Sequence, residues 1–273
     1  MKRENSASFM QKLYLAAEKN AKRFVGFLGL GNSNVTVTLS KFRARLKKLI
    51  KISALESFDI YIAEHCNWGC YSCNHFSQLA ASEFADLAAT ERDLKRLSEL
   101  SGGNIPAVML VGGEPLLNPE LPEFMRIARE YFPQSRVQIV TNGVLLLAQK
   151  DIFWESVKKY NITMTPTKYP GIDWEKIEAR AGKFGYKFEY FDLSGSSEKV
   201  SRKFSLDLSG SQEIRKSFRR CPMAACTVAL QNGRLATCSF VFCMRHFNKY
   251  FNQNIPVTDD DSIDIYKAKS MRE

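Results

Sequence analysis

The chain has 273 residues, of which 45% are hydrophobic and 12% aromatic, with a formal net charge of +10. This length fits one large domain or one domain with appendages, and the apolar content supports a real core, which excludes a disordered or collagen-like chain. The charge is uneven. Residues 1–56 hold twelve Lys/Arg against three Glu (Glu4, Glu18, Glu56), a balance of +9, and the remaining 217 residues carry only +1. A basic arm on a nearly neutral body points to docking rather than to nucleic acid, for which no recognition motif accompanies the charge.

Within the arm, Lys41–Ile52 places Phe42, Leu46, Leu49 and Ile50 on one helical face with Lys and Arg around the rest. Such a helix can lie on an anionic membrane surface, dock a protein, or pack on the body with its basic face solvated. Phe24–Leu30 falls well short of the about 20 apolar residues a membrane span needs, and Ser6–Leu15 lacks the apolar core and small-residue cleavage site of a leader. The expected location is the cytoplasm, with peripheral contact at the inner membrane face open to the arm.

Residues 57–193 alternate between short apolar runs and helical patterns, the signature of repeated βα units. Strands are expected at Phe58–Ala63, Ala107–Val111, Arg136–Thr141, Ile162–Thr165 and Tyr186–Phe191. The first helix is read with Thr90 as N-cap, Asp93 three residues on, a Leu94–Leu97–Leu100 stripe and a stop at Gly102–Gly103. The second takes Asn118 as cap and Pro119 as its first residue, buries Leu121, Phe124, Ile127, Ala128 and Tyr131, and ends at Pro133. Asp151–Tyr160 and Trp174–Phe184 read as two more. Five βα units are too few for an eight-unit barrel of about 250 residues. The predicted fold is therefore α/β, a partial (βα)n TIM-type barrel of parallel strands, with a doubly wound sheet as the alternative. Residues 194–217 read as a linker, and 218–273 as a small cysteine-rich β-hairpin extension whose acidic Asp259–Asp261 leads into what resembles a helix start.

Seven cysteines in a reducing compartment are not expected to form structural disulfides. Three fall within eight residues (Cys66, Cys70, Cys73) and four within 23 (Cys221, Cys226, Cys238, Cys243), a clustering that points to two metal centres. The first group, Cys66-Asn-Trp-Gly-Cys70-Tyr-Ser-Cys73, follows the first strand, where active-site loops of αβ barrels lie. A cubane cluster normally takes four thiolates, so three local ones leave an iron open to another ligand. Zinc is the alternative occupant, since His65, His75 and His246 also lie near cysteines.

The spacing, followed by Gly112-Gly113-Glu114-Pro115 after the second strand and Thr141-Asn142-Gly143 at the end of the third, resembles the radical S-adenosylmethionine (SAM) superfamily. That resemblance implies a [4Fe–4S] cluster on Cys66, Cys70 and Cys73 whose open iron chelates SAM. One electron, from a donor such as flavodoxin or ferredoxin, then cleaves SAM to a 5′-deoxyadenosyl radical that abstracts hydrogen from substrate. It also implies SAM contacts from Gly112, Gly113, Glu114, Pro115, Thr141 and Asn142. Ser72 stands where the family commonly has an aromatic residue near adenine, with Phe76 as a substitute.

In the second group, Cys226 to Cys238 reads as a hairpin around Asn232-Gly233. A three-residue loop, Gln231-Asn232-Gly233, pairs Cys226 with Cys238 on one face, whereas a two-residue Asn-Gly turn sets Cys226 opposite Ser239; the three-residue loop is the expectation. The hairpin resembles SPASM and twitch extensions, which implies an auxiliary [4Fe–4S] cluster on Cys221, Cys226, Cys238 and Cys243, or a hydrogen-donor role for Cys243; a zinc knuckle is the alternative. Cys73-Asn-His-Phe-Ser77 and His246-Phe-Asn-Lys-Tyr-Phe251 resemble a bacterial group of such proteins associated with surface-polysaccharide contexts. The resemblance implies a sugar or sugar-nucleotide substrate, with peptide modification or a non-catalytic zinc-binding module as alternatives.

Overall fold

The computed structural model describes residues 55–190, 206–221 and 228–271. The basic arm to residue 54, the first half of the expected linker (194–205) and Cys226 lie outside the described residues.

Four βα steps build the body. Strand β1 (Ser57–Ala63) is followed by α1 (Leu87–Ser101), β2 (Ala107–Gly112), α2 (Leu121–Tyr131), β3 (Arg136–Thr141), α3 (Asp151–Lys159), β4 (Thr163–Pro166) and α4 (Trp174–Gly182). After α5 (Ile214–Arg220) come a hairpin of β5 (Ala229–Gln231) and β6 (Arg234–Ala236), α6 (Phe240–Phe251) and the short β7 (Ile263–Asp264). One open sheet runs β4-β3-β2-β1-β5-β6-β7. β1 to β4 are parallel and β5 joins the far side of β1, also parallel, while β6 and β7 continue antiparallel. The first four strands advance in one direction without reversing. That one-way order, in a mostly parallel sheet that does not close on itself, is compatible with a partial barrel.

Strand alternation divides the side chains into two layers. Phe58, Ile60 and Ile62 of β1, Val108 and Leu110 of β2, Val137 and Ile139 of β3 and Met164 of β4 join Leu94, Leu97, Phe124 and Ile127 in the main core. The opposite face carries Tyr61, Val111, Ala229 and Cys243, with Met109 and Val140 packed beside them. Both faces of β1 are therefore covered, and every residue from Phe58 to Ala63 is buried, Asp59 included.

Several expected ends move. Asp86, not Thr90, caps α1, accepting from the Ala89 amide at 2.6 Å, while Gly102 closes the helix at φ +62° as expected. Asp93 has a tertiary role instead: its carboxylate accepts from the Gly233 amide and the Tyr266 hydroxyl, each at 2.7 Å. α2 begins at Leu121, so Pro119 precedes it, and Asn118 reaches back to accept from the Glu120 amide at 2.8 Å and donate to the Ile62 carbonyl at 2.7 Å.

The expected strand from Tyr186 does not form over Tyr186–Tyr190. The Tyr186 hydroxyl takes the Met164 amide and donates to the Ile162 carbonyl at 3.1 Å, so a side chain occupies the edge of β4, and the Glu189 amide reaches the Met164 carbonyl at 3.2 Å. The hairpin is a second correction. Gln231 pairs with Arg234, leaving the two-residue loop Asn232-Gly233, with φ +50° and +74°. Two left-handed residues match the twist of the flanking strands, and Asp93 holds the Gly233 amide. This register removes the basis for facing Cys226 with Cys238. The 12-residue helix α6, which no sequence signal had suggested, starts at Phe240, with Ser239 at its N-terminal cap position next to Cys238.

Asp93 therefore joins α1 to the hairpin turn and, through Tyr266, to the segment after β7. Asp93→Ala leaves the buried Gly233 amide without its acceptor and is expected to cost about 2–3 kcal/mol in urea unfolding; a change under about 0.5 kcal/mol refutes that role.

Candidate functional site

The site forms at the carboxyl ends of β1 to β4. β1 ends at Ala63, and the chain then enters a loop of turns and bends carrying Cys66, Cys70 and Cys73, all partly buried. Its start is fixed from below by β2. The Gly113 amide donates to the Ala63 carbonyl at 2.7 Å, and the Glu114 amide to the His65 carbonyl at 3.1 Å. A Cβ on Gly112 would lie 2.2 Å from the Ala63 oxygen, and one on Gly113 2.0 Å from the His65 oxygen. Only glycine permits this approach, and Gly112 also sits at φ +140°. Beyond it, the His75 ring donates through Nδ1 to the Gly112 carbonyl at 3.0 Å, since that carbonyl can only accept.

Glu114 is almost wholly enclosed. Its carboxylate accepts from the Leu116 amide at 3.0 Å, the Thr141 hydroxyl at 2.6 Å and the Asn142 amide at 2.8 Å. Burial pushes its pKa up to about 7, against the lowering effect of these bonds. Glu114 therefore ties the end of β2 to that of β3. Asn142 extends the tie to the cysteine loop. Its Oδ1 accepts from the Val144 amide at 2.9 Å, which turns Nδ2 toward Asn67 Oδ1 at 2.9 Å and the Cys66 sulfur at 3.6 Å. Burial, with the nearby Glu114 charge, pushes the Cys66 thiol up to about 11, so metal or a cation is needed to hold it as thiolate.

From the end of β4, Tyr169 reaches the same loop: its hydroxyl lies 3.0 Å from the Cys70 sulfur and its ring 5.5 Å from that of Trp68. Burial and then the bond to Cys70 raise the phenol above its ordinary value. Trp174 Nε1 donates to the Tyr169 carbonyl at 3.2 Å, and the Trp174 ring fills the space where a Cβ on Gly143 would stand. Lys168, next to Tyr169, turns instead to Glu178 at 3.4 Å and to the Tyr190 ring. Nothing local in the sequence marks Tyr169, because a contact from the end of β4 to the loop after β1 leaves no local pattern.

The remaining predicted residues separate. Ser72 (φ +61°) forms the left-handed bend before Cys73, and Pro115 opens a short 3-10 turn beneath Glu114. Phe76 is stacked on Phe240 at 5.4 Å and packed against Phe247 at 5.2 Å, which ties the loop to α6. Of the second cysteine group, Cys221 is exposed at the end of α5 and close enough for its charge to bear on Cys238, whose thiol burial raises. Cys243 is buried, 3% exposed among Tyr61, Val111 and Ala229, its thiol raised by burial and then by the charges of Glu64 and Cys73, with Cys238 also near enough to raise it. Of the four expected auxiliary ligands, Cys221, Cys238 and Cys243 are described and Cys226 lies outside the described residues. Among the described residues, no three His, Cys, Asp or Glu side chains converge on a single ion. A cubane does not require that, because each of its thiolates binds a different iron.

Sequence reasoning also missed Glu64, just past β1. It accepts from His246 Nε2 at 2.8 Å and Gln231 Nε2 at 2.6 Å and pairs with Arg245 at 3.1 Å. Burial pushes this carboxyl up, but the bond from His246 and the Arg245 charge outweigh it and hold it below the usual range.

Compared with known proteins, residues 60–179 match the model of the radical SAM superfamily. A stretch of 97 residues is 34% identical to the GTP 3′,8-cyclase of Chlorobaculum tepidum, covering 36% of this chain and 28% of that one. A stretch of 85 residues is 32% identical to the Fe-coproporphyrin III synthase of Methanosarcina barkeri, covering 31% and 20%. Each match thus spans less than a third of the relative's length. Among solved structures, BtrN in complex with AdoMet and 2-DOIA superposes with a TM-score of 0.49 at 18% identity, over 80% of this chain and 84% of that one.

Glu114→Gln keeps the shape but turns an amide donor toward one of the three donors it now accepts. The variant is expected to lose about 2 kcal/mol of stability in urea unfolding; an unchanged midpoint refutes the clasp.

Proposed function

We propose, from the premise that this chain belongs to the radical SAM superfamily through residues 60–179, that Cys66, Cys70 and Cys73 hold a [4Fe–4S] cluster whose fourth iron takes SAM. The carrying observation is that three thiols share one loop, anchored by the Gly112–Gly113 approach and bordered by Glu114, Thr141 and Asn142. This donor set fits the group: three soft ligands leave one position open, and the rim offers amides and carbonyls for a zwitterionic amino acid. When bound, the cluster and SAM supply a one-electron cleavage to a 5′-deoxyadenosyl radical that takes hydrogen from substrate.

The chain's own residues prepare that chemistry. Asn142 aims its amide at Cys66 and so favours the thiolate, and Glu114 fixes Asn142 by accepting its backbone amide. Phe76, through Phe240 and Phe247, anchors the far end of the loop to α6. Tyr169 borders the loop from the β4 side.

A polyhydroxylated small molecule, such as a sugar or sugar nucleotide, is the proposed substrate. Supporting it is the row of residues in lateral register on the sheet face opposite the main core: Asp59, Met109, Gln138 and Thr163, with Thr165 accepting from Gln138 Nε2 at 3.2 Å. Burial raises the Asp59 carboxyl to about 7, so near neutral pH it can donate or accept hydrogen bonds. Hydroxyl groups match such a floor better than an apolar ligand does.

Anaerobic reconstitution with iron and sulfide, followed by dithionite and SAM, is expected to give brown protein that forms 5′-deoxyadenosine, and Cys73→Ala is expected to form none. Colourless wild-type protein carrying zinc overturns the reading.

A further inference from the structure

We infer that Tyr169 tunes the cysteine-bound cluster: its phenol donates a hydrogen bond to the Cys70 thiolate and raises the potential at which the cluster accepts an electron. This rests on the cluster assignment above and deepens it.

Tyr169 lies three residues past the end of β4, yet its hydroxyl stands 3.0 Å from a sulfur on the loop that follows β1, with β3 and β2 between the two strands in the sheet. The position is held from two sides. The Trp68 ring, inside the cysteine motif, packs against the Tyr169 ring at 5.5 Å. Trp174 donates to the Tyr169 carbonyl at 3.2 Å and is itself seated over Gly143, where a Cβ would come within 2.4 Å of its ring. The contact therefore involves the cysteine loop, the end of β3 and the start of α4 together.

The direction of the bond follows from chemistry. A cysteine that ligates iron has given up its proton and can only accept, whereas a tyrosine hydroxyl ordinarily keeps its proton up to about pH 10. So the phenol is the donor once Cys70 is a ligand. The three ligands are not equivalent in this respect: Cys66 receives the longer contact from the Asn142 amide at 3.6 Å. Hydrogen bonds to cluster sulfurs are among the levers that set reduction potential. The sign is fixed by charge. The reduced cluster carries one more electron than the oxidised one, a donor is bound more strongly by the more negative state, and the bond therefore favours reduction. The electron comes from an external one-electron donor, dithionite in the test below.

Reconstituted wild type and Tyr169→Phe, matched for iron and sulfide content, are to be poised at a series of potentials without SAM and the reduced cluster counted by electron paramagnetic resonance. The reduced-to-oxidised ratio at a fixed potential is expected to fall by about threefold to tenfold in Tyr169→Phe; an equal ratio in the two proteins overturns the inference. If Tyr169→Phe fails to hold a cluster, the test moves to the reduced wild type after exchange into deuterium oxide. Electron–nuclear double resonance then has to show an exchangeable proton coupled to the cluster, and its absence overturns the inference. Wild type that takes up no iron fails at the earlier step and overturns the cluster assignment instead.

Discussion

Gly112 and Gly113 lie so near the backbone of Ala63 and His65 that no side chain fits between them, and the placement of the cysteine loop follows from this contact. Two backbone hydrogen bonds, from the Gly113 and Glu114 amides, continue the β1–β2 pairing past the end of the strands. The chain leaving β1 therefore starts its loop from a fixed point and direction. A methyl group at either glycine would push the loop away by ångströms, and metal ligands tolerate only tenths of that.

The next element outward is electrostatic. Glu114 is nearly fully enclosed and is stabilised there only because three donors from two neighbouring segments converge on it. A buried carboxylate without such partners would be costly; with them it cross-links strand ends that backbone pairing alone leaves free. The open edge at β4 is managed by side chains as well. Tyr186 caps its backbone groups, and Tyr169 with Trp174 closes the gap toward the first loop. In a sheet that does not close on itself, aromatic residues thus supply contacts that further strands would otherwise make.

The C-terminal part is continuous with this body. β5 extends the sheet beside β1, and α6 contacts the cysteine loop through the Phe76–Phe240–Phe247 rings and the end of β1 through His246 and Glu64. Two short motifs that stood out in the sequence, around Phe76 and around His246, thereby meet in space at the cysteine loop. Cys243 belongs to that packing, enclosed with Tyr61 and Val111, while Cys221 stays exposed.

Alternation of apolar residues and the glycine and proline punctuation marked the parallel strands, because a buried face writes a period of two into four to seven adjacent residues; Arg136–Thr141, buried at every second position, was legible to the residue. The cysteine spacing and the Gly112-Gly113-Glu114 segment were legible for the same reason: their chemistry is local in sequence. Tertiary structure decided what depends on distant partners. Asp93 resembled half of a capping box but accepts from a turn 140 residues away, and that same bond accompanies the two-residue hairpin loop where a three-residue one was expected. Tyr186–Tyr190 had strand composition, yet one hydroxyl took the backbone groups a strand would have needed. Tyr169 and Glu64 carried no local mark at all, since a hydrogen bond between residues 99 or 182 positions apart imposes no period on the chain between them.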